Sequence, residues 1–150
     1  MIDPAPHPMT DGAIRVRVRY CECDPMGVAH HASYAPWMEM ARTELLRSAG
    51  VTYAQLEREG VFLVVTKLEV RYRRPIRYDD RVEIACRVVG GSRVKIRHEY
   101  ELTLIEAGDG RRERLEDRGG QCAVASTELA CVSADGRVRE LPEWLAPKGE

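Results

Sequence analysis

One helical stripe limits the possible folds of this chain most, because the segments around it lack helical periodicity. Between Ser33 and Gly50 the apolar residues recur about every 3.6 positions, as on one buried helix face. That face comprises Tyr34, Trp37, Met38, Ala41, Leu45, Leu46 and Ala49, while Glu39, Arg42, Thr43, Arg47 and Ser48 are predicted to lie outside it. Ser33 is a favourable N-cap residue, and Gly50 is a favourable stop. The pattern predicts one helix of about 16 residues, roughly 24 Å long.

The segments before and after this helix alternate apolar and polar residues, which is typical of half-buried β-strands. The predicted strands cover residues 13–21, 62–72, 81–89, 93–105 and 121–132, and the fourth has His98 and Tyr100 on its inner face. A capping-box pattern at Thr52 predicts a short second helix, and no strand pattern lies between the two helices. This order predicts an α+β fold, with one long helix against an antiparallel sheet, and argues against a parallel sheet.

These elements belong to a single predicted domain that covers residues 13–140. Residues 1–12 contain several prolines and are expected to form an extended or disordered N-terminal tail. Residues 106–119 are charged and contain glycines, which predicts a mobile hairpin tip. Residues 141–150 are assigned to a C-terminal tail, in which Trp144 and Leu145 are apolar enough to dock.

The composition argues against several classes of protein. The chain has 150 residues, with 23 Lys and Arg against 24 Asp and Glu, and this balance gives no support for nucleic-acid binding. The longest apolar run, Val61–Val65, is far shorter than the roughly 20 residues that span a bilayer. The N-terminus has no secretory signal pattern. Five cysteines without framework spacing indicate reduced thiols and a cytoplasmic protein.

The stretch from Tyr20 to Tyr34, YCECDPMGVAHHASY, connects the first predicted strand to the long helix. It places Asp24 in a turn and His31 at the entry of the helix. Helix N-termini present unpaired N–H groups and a partial positive charge. Such a turn can bind an oxyanion while a neighbouring carboxylate acts as a base or nucleophile.

The spacing within this stretch also carries a family resemblance. The pattern Tyr20-x3-Asp24-x2-Gly27-Val28-x2-His31-Ala32-Ser33-Tyr34, followed by a long helix, closely resembles the hotdog-fold acyl-CoA thioesterases of the 4-hydroxybenzoyl-CoA thioesterase and YbgC type. The resemblance covers roughly residues 13–132. It implies a five-stranded antiparallel sheet wrapped around the long helix. It also implies hydrolysis of an acyl-CoA to a free acid and coenzyme A.

The resemblance implies roles for particular residues and for an assembly. Asp24 would be the catalytic carboxylate and would act as a general base or as a nucleophile. The backbone N–H near His31 would polarise the thioester carbonyl. Gly27 would let the loop approach the ligand. Family members form homodimers or homotetramers with the site between subunits. Val65 and Thr66 would face the site from the next subunit. The candidate substrate-binding residues are Tyr20, Gly27, His30, Tyr34, Val65 and Thr66.

One position departs from the family pattern, because His30 stands where YbgC-type members often have Tyr. His30 and His31 with Cys21 and Cys23 also invite a metal interpretation. Their spacing matches no standard zinc pattern, so no metal site is predicted. No organic cofactor is expected, since coenzyme A is part of the substrate. Arginines and lysines near the pocket are candidates for its phosphates, namely Arg74, Arg93 and Lys95.

Two alternatives stay open from the sequence. The first is a 3-hydroxyacyl dehydratase on the same fold, because that chemistry pairs a histidine with a carboxylate. The second is a non-catalytic module that binds acyl-CoA or an acyl-carrier protein. The sequence does not define the acyl group, and thioesters of a carrier protein remain possible substrates.

Overall fold

The computed structural model describes residues 9–108 and 120–148. One antiparallel sheet has the strand order β1-β3-β4-β5-β2. The strands are β1 (Asp11–Arg17), β2 (Phe62–Tyr72), β3 (Arg81–Gly91), β4 (Lys95–Glu106) and β5 (Gln121–Val132), and the helices are α1 (Tyr34–Ser48) and α2 (Tyr53–Arg58). The predicted α+β architecture, a five-stranded sheet with one long helix, is confirmed. Most of the predicted N-terminal tail and hairpin tip lies outside the described residues.

The predicted apolar face of α1 packs on the sheet. Every residue assigned to that face is buried, and Trp37 and Met38 are 1% and 0% exposed. They join one core cluster with Ile84 of β3 and Leu102 of β4. Burial of each such side chain stabilises the fold by about 1.5–3 kcal/mol. The packing fixes α1, and therefore the loop before it, against the centre of the sheet.

The prediction that Arg42 lies outside the buried face was wrong, since only 9% of it is exposed. Arg42 is one helical turn from both Met38 and Leu46, so it lies on the flank of the same face. Tyr53 of α2 and Tyr100 of β4 interact with its guanidinium and cover that flank. The helical period alone gives no measure of how far neighbouring elements wrap around a helix.

The first strand begins and ends earlier than the sequence predicted. Its first residue, Asp11, pairs with Arg87 of β3, so pairing extends into the stretch assigned to the tail. After Arg17 the chain no longer pairs with β3. The Val18 N–H donates instead to the carbonyl of Asp80, which precedes β3, over 2.9 Å. A turn of 3-10 helix at Tyr20–Glu22 then follows. This early exit leaves more chain for the loop that precedes α1.

The C-terminal segment docks on the domain as far as the structure describes it. The Leu141 N–H donates to the Arg93 carbonyl over 2.8 Å, and Leu141 is buried. Trp144 and Leu145 pack against a second core cluster that includes Leu46. Neither helix in the described ranges is long and apolar enough for a membrane crossing.

Candidate active site

The loop between β1 and α1 places a carboxylate in a tight turn. The Gly27 N–H donates to the Asp24 carbonyl over 2.9 Å, with Pro25 and Met26 between them. Asp, Pro and Gly stand where a type I turn favours them. One Asp24 carboxylate oxygen accepts the Met26 N–H at 2.9 Å, and residues 9–108 and 120–148 provide no other hydrogen bond to this carboxylate. The turn therefore holds the group while one oxygen stays available.

The backbone conformation of this turn favours glycine at position 27. Its φ is 80°, in the left-handed region that glycine adopts most readily. A Cβ at this position would meet no heavy atom within 4 Å. The predicted close approach of a ligand to Gly27 stays a prediction, but the open space around it is compatible with that approach.

Hydrogen bonds from the returning arm of the loop attach it to its surroundings. The Ala29 N–H donates to the Ile76 carbonyl over 2.7 Å, and the Asp24 N–H donates to the Val28 carbonyl over 3.0 Å. Val28 also forms a bridge with Arg77. The carboxylate arm and the arm that continues to His30 and α1 thus lie side by side.

His30 and His31 lead into α1 through a turn of 3-10 helix, His31–Ser33. The Nδ1 atom of His30 accepts the Ala32 N–H at 3.0 Å, so this side chain caps the turn. The two imidazole ring centres lie 4.0 Å apart, and His31 is exposed. The His31 N–H has no acceptor within the described ranges, as expected of the first amide of a helical turn. The structure therefore places an unpaired amide at the entry to α1.

Sequence reasoning missed Glu22, which anchors the loop to the helix. Glu22 is only 8% exposed. Its carboxylate accepts the Trp37 indole N–H at 2.6 Å and the Arg19 backbone N–H at 2.8 Å. Its carbonyl accepts the Ser33 hydroxyl at 2.8 Å. No local pattern marks Glu22, because its main partner, Trp37, lies a full loop away in sequence on α1.

The two tyrosines assigned to the site lie in different environments. Tyr20 is 82% exposed, and its ring meets that of Tyr78 edge to face at 5.6 Å. Tyr34 is 3% exposed and packs on Trp37 and Tyr72. Burial raises the pKa of the Tyr34 hydroxyl well above its usual value. Tyr34 is thus a core residue in this chain, whereas Tyr20 is open to a ligand.

Val65 and Thr66 lie on the edge strand β2, where the ladder with β5 has a bulge. Val65 is 49% exposed. The Thr66 hydroxyl donates to the Glu128 carboxylate at 2.9 Å. Within the described part of this chain, neither residue forms a hydrogen bond with the Asp24 loop.

The three candidate phosphate ligands do not form one cluster in a single chain. The Arg74 N–H donates to the Cys122 carbonyl, whereas Lys95 pairs with Ala130 in the sheet. The distance along β5 between Cys122 and Ala130 is roughly 26 Å. Lys95 also forms an ion pair with Glu128 at 2.9 Å, and Arg93 forms one with Glu140 at 3.3 Å. Of the three, Arg74 is nearest in sequence to Ile76, which contacts the loop.

The cysteines of the loop have no metal-binding arrangement in the described ranges. Cys21 is exposed, and the Cys23 thiol donates to the Arg19 carbonyl at 3.7 Å. Burial, followed by the nearby Glu22 charge, raises the pKa of the Cys23 thiol, which keeps it protonated. No group of three or more His, Cys, Asp or Glu residues suited to a metal occurs in residues 9–108 and 120–148.

Comparison with known proteins supports the family resemblance that the sequence of this loop and helix indicates. The family model described as "Thioesterase-like superfamily" matches residues 18–149. The chain is 44% identical over 73 residues to "Acyl-CoA thioester hydrolase YbgC" of Escherichia coli O6:H1, which covers 49% of this chain and 54% of that protein. The chain spans about half the length of the curated relatives it matches.

Two solved structures are similar over most of the chain. A DHNA-CoA thioesterase from Staphylococcus aureus has a TM-score of 0.77 and 29% identity, over 90% of this chain and 83% of that one. A thioesterase from Thermus thermophilus, complexed with coenzyme A and Zn, has a TM-score of 0.68 and 30% identity, over 88% and 86%. The predicted hotdog architecture is confirmed by these similarities.

Proposed function

This chain belongs to the thioesterase-like superfamily, and we propose that it hydrolyses the thioester of an acyl-CoA to a free acid and coenzyme A. The observation that carries the proposal is the pairing of a turn-held Asp24 carboxylate with an unpaired amide at His31. A positioned carboxylate can act as a base or nucleophile in acyl transfer, and a helix-start amide can bind the developing oxyanion. The names of the YbgC relative and of the structural neighbours point to the same activity.

The reaction uses the two groups in complementary ways. As a general base, Asp24 takes a proton from water while the water oxygen bonds to the thioester carbon. The C–S bond then breaks, and the sulfur of coenzyme A leaves as a thiolate that takes up a proton. The His31 N–H binds the carbonyl oxygen as it gains negative charge. As a nucleophile, the Asp24 carboxylate would instead attack the thioester carbon and displace the coenzyme A thiolate, which leaves an acyl anhydride that water then hydrolyses.

A second copy of the chain is expected to complete the site. The edge strand β2 exposes large apolar side chains between 43% and 52%, namely Val64, Val65, Leu68 and Tyr72. An unpaired edge with apolar residues is a surface that proteins normally cover. Covering it with a neighbouring subunit would bring Val65 and Thr66 toward the partner copy's loop, as the resemblance implies.

Thiol release from a panel of acyl-CoAs, with wild type beside Asp24→Asn, tests the proposed activity. We expect kcat to fall on the order of 10²–10⁴-fold on the best substrate, because the base is lost while the turn can still form. Asp135→Asn is the matched control, since Asp135 also accepts a backbone N–H in an exposed turn. That control should retain the wild-type rate.

The same panel separates the alternatives. Turnover that survives Asp24→Asn would show that Asp24 is not the catalytic group. Folded wild-type protein that releases no thiol from any acyl-CoA would favour a carrier-protein thioester or a binding module. Hydration of an enoyl-CoA, followed by its ultraviolet absorbance, would favour the dehydratase.

Disrupting the β2 edge tests the assembly. Leu68→Arg should produce a monomer in light scattering and reduce thiol release, because the partner face of the site would be missing. Val138→Arg is the control, since Val138 is 65% exposed and lies outside this strand. A fully active Leu68→Arg monomer would show that one chain contains the whole site.

A further inference from the structure

A second group of polar side chains lies inside the core, under the C-terminal half of α1. Arg42 is 9% exposed and His98 of β4 is 5% exposed. The Arg42 guanidinium interacts with the hydroxyls of Tyr53 and Tyr100. Tyr100 and Thr127 also share a hydrogen bond of 2.7 Å. These groups surround one permanently charged cation.

The charge of Arg42 is weakly compensated. The carboxylate of Glu39 lies 3.6 Å from it, and 69% of that side chain is exposed to solvent. Arg42 Nε and His98 Nδ1 are buried and have no hydrogen-bond partner in the described residues. Burying a cation or an unpaired nitrogen is unfavourable. An anion beside the Arg42 guanidinium would offset the cost of the buried charge.

A cavity of about 40 Å³ is lined by both Arg42 and His98. Its remaining walls are mostly apolar, and Trp144 and Leu145 from the docked C-terminal segment form part of them. Since one water needs about 10–15 Å³ by this measure, the cavity suits a ligand of about three or four non-hydrogen atoms. Coenzyme A is too large for it.

We propose that this cavity binds a small monovalent anion, either a halide or a short-chain carboxylate such as acetate, beside Arg42 and His98. The guanidinium offers directional N–H donors to a carboxylate, and the apolar walls accept a methyl group. A halide would use only the charge. Burial, and next the Arg42 charge, lowers the pKa of His98 to about 4. His98 is therefore neutral near pH 7, with one N–H to donate. The site is separate from the proposed hydrolysis, so either can fail alone.

Thermal unfolding at constant ionic strength tests the binding. Sodium chloride and sodium acetate are compared with sodium gluconate, whose anion does not fit the cavity. A bound anion should raise the Tm of the wild type by about 2–4 °C or more at saturation. A rise with acetate alone identifies a carboxylate site, and equal rises identify an anion site without selectivity.

Two variants separate binding from a general salt effect. Arg42→Met removes the charge at similar length. Ala49→Val narrows the same cavity while keeping Arg42 and His98, because Ala49 is one of its lining residues. We expect both variants to lose the Tm difference between the salts. An equal difference in the wild type and both variants would overturn the proposal.

Crystals of the wild type grown with bromide provide a direct reading that does not depend on any variant folding. An anomalous peak in the cavity beside Arg42 would support the site. Crystals grown in acetate should show its density in the same place. Absence of both from this cavity would overturn the proposal, whatever the melting curves show.

Discussion

Polar groups are paired or reached by solvent at the N-terminal end of α1, whereas those near its C-terminal half are buried and incompletely paired. At the N-terminal end, Glu22 is buried but paired with Trp37, and Asp24 is held in a turn that solvent reaches. At the C-terminal half, Arg42 and His98 are buried, and each has a nitrogen without a partner in the described residues. The first end therefore presents a carboxylate that solvent reaches. The second contains a buried charge beside a cavity of about 40 Å³.

The largest effect on stability is expected at the buried end, in acid. The pKa of His98 is lowered to about 4, against about 6.5 in an unfolded chain. Between these values the unfolded state binds more protons, so the free energy of unfolding falls as pH decreases. The total loss is roughly 3 kcal/mol.

Urea denaturation at several pH values between 7 and 4 measures this slope, and His98→Gln should make it shallower than in the wild type. Arg42 is the charged neighbour of His98. Burial raises the pKa values of the Tyr53 and Tyr100 hydroxyls, so both stay protonated over this pH range. Glu39 lies near Arg42 at the surface. Arg42→Met should raise the pKa of His98 in the folded state toward 6.5, because it removes the repelling cation. The pH range over which stability falls should therefore become narrower. Identical slopes in the wild type and His98→Gln would contradict the buried, neutral imidazole.

A smaller loss is expected from Glu22→Gln at the paired end. Each Glu22 carboxylate oxygen accepts a hydrogen bond, from Arg19 or from Trp37. An amide has only one acceptor oxygen, so one buried donor faces an NH₂ group, which costs about 1–3 kcal/mol. Denaturant unfolding measures the loss, and thiol release should fall because the loop loses its anchor to α1.

The control for Glu22 is Glu44→Gln, which removes an exposed ion pair with Arg47 and should change stability by less than about 1 kcal/mol. If Glu22→Gln is as stable as this control, the hydrogen bond to Trp37 does not anchor the loop.

The smallest effect is expected from Gly27→Ala, at about 1–2 kcal/mol. Gly27 has a left-handed φ, but its Cβ would have open space, so only the conformational penalty applies. Gly136→Ala meets the same conditions in another turn. Both should lose similar stability in denaturant. Only Gly27→Ala should also reduce thiol release, and equal activity in the two variants would argue against a role for the turn geometry.

Much of the fold was predictable because it depends on local periods and turn chemistry. The 3.6-residue stripe identified the buried face of α1, and the period of two placed His98 and Tyr100 inside. The Asp24-x2-Gly27 spacing located the turn. Two failures have a common cause. Arg42 and Glu22 look like surface residues, and their burial depends on partners from distant parts of the chain.

The sequence by itself determined where helix and strands form, because side-chain periodicity and glycine or proline conformations act within a few residues. Only the tertiary structure decided the strand order β1-β3-β4-β5-β2, in which β1 pairs with β3 and β2 with β5. That order separates Arg74 from Lys95 and gathers Arg42 with His98 around a cavity. Such placements depend on contacts between residues far apart in the chain, whose free energies no local pattern contains.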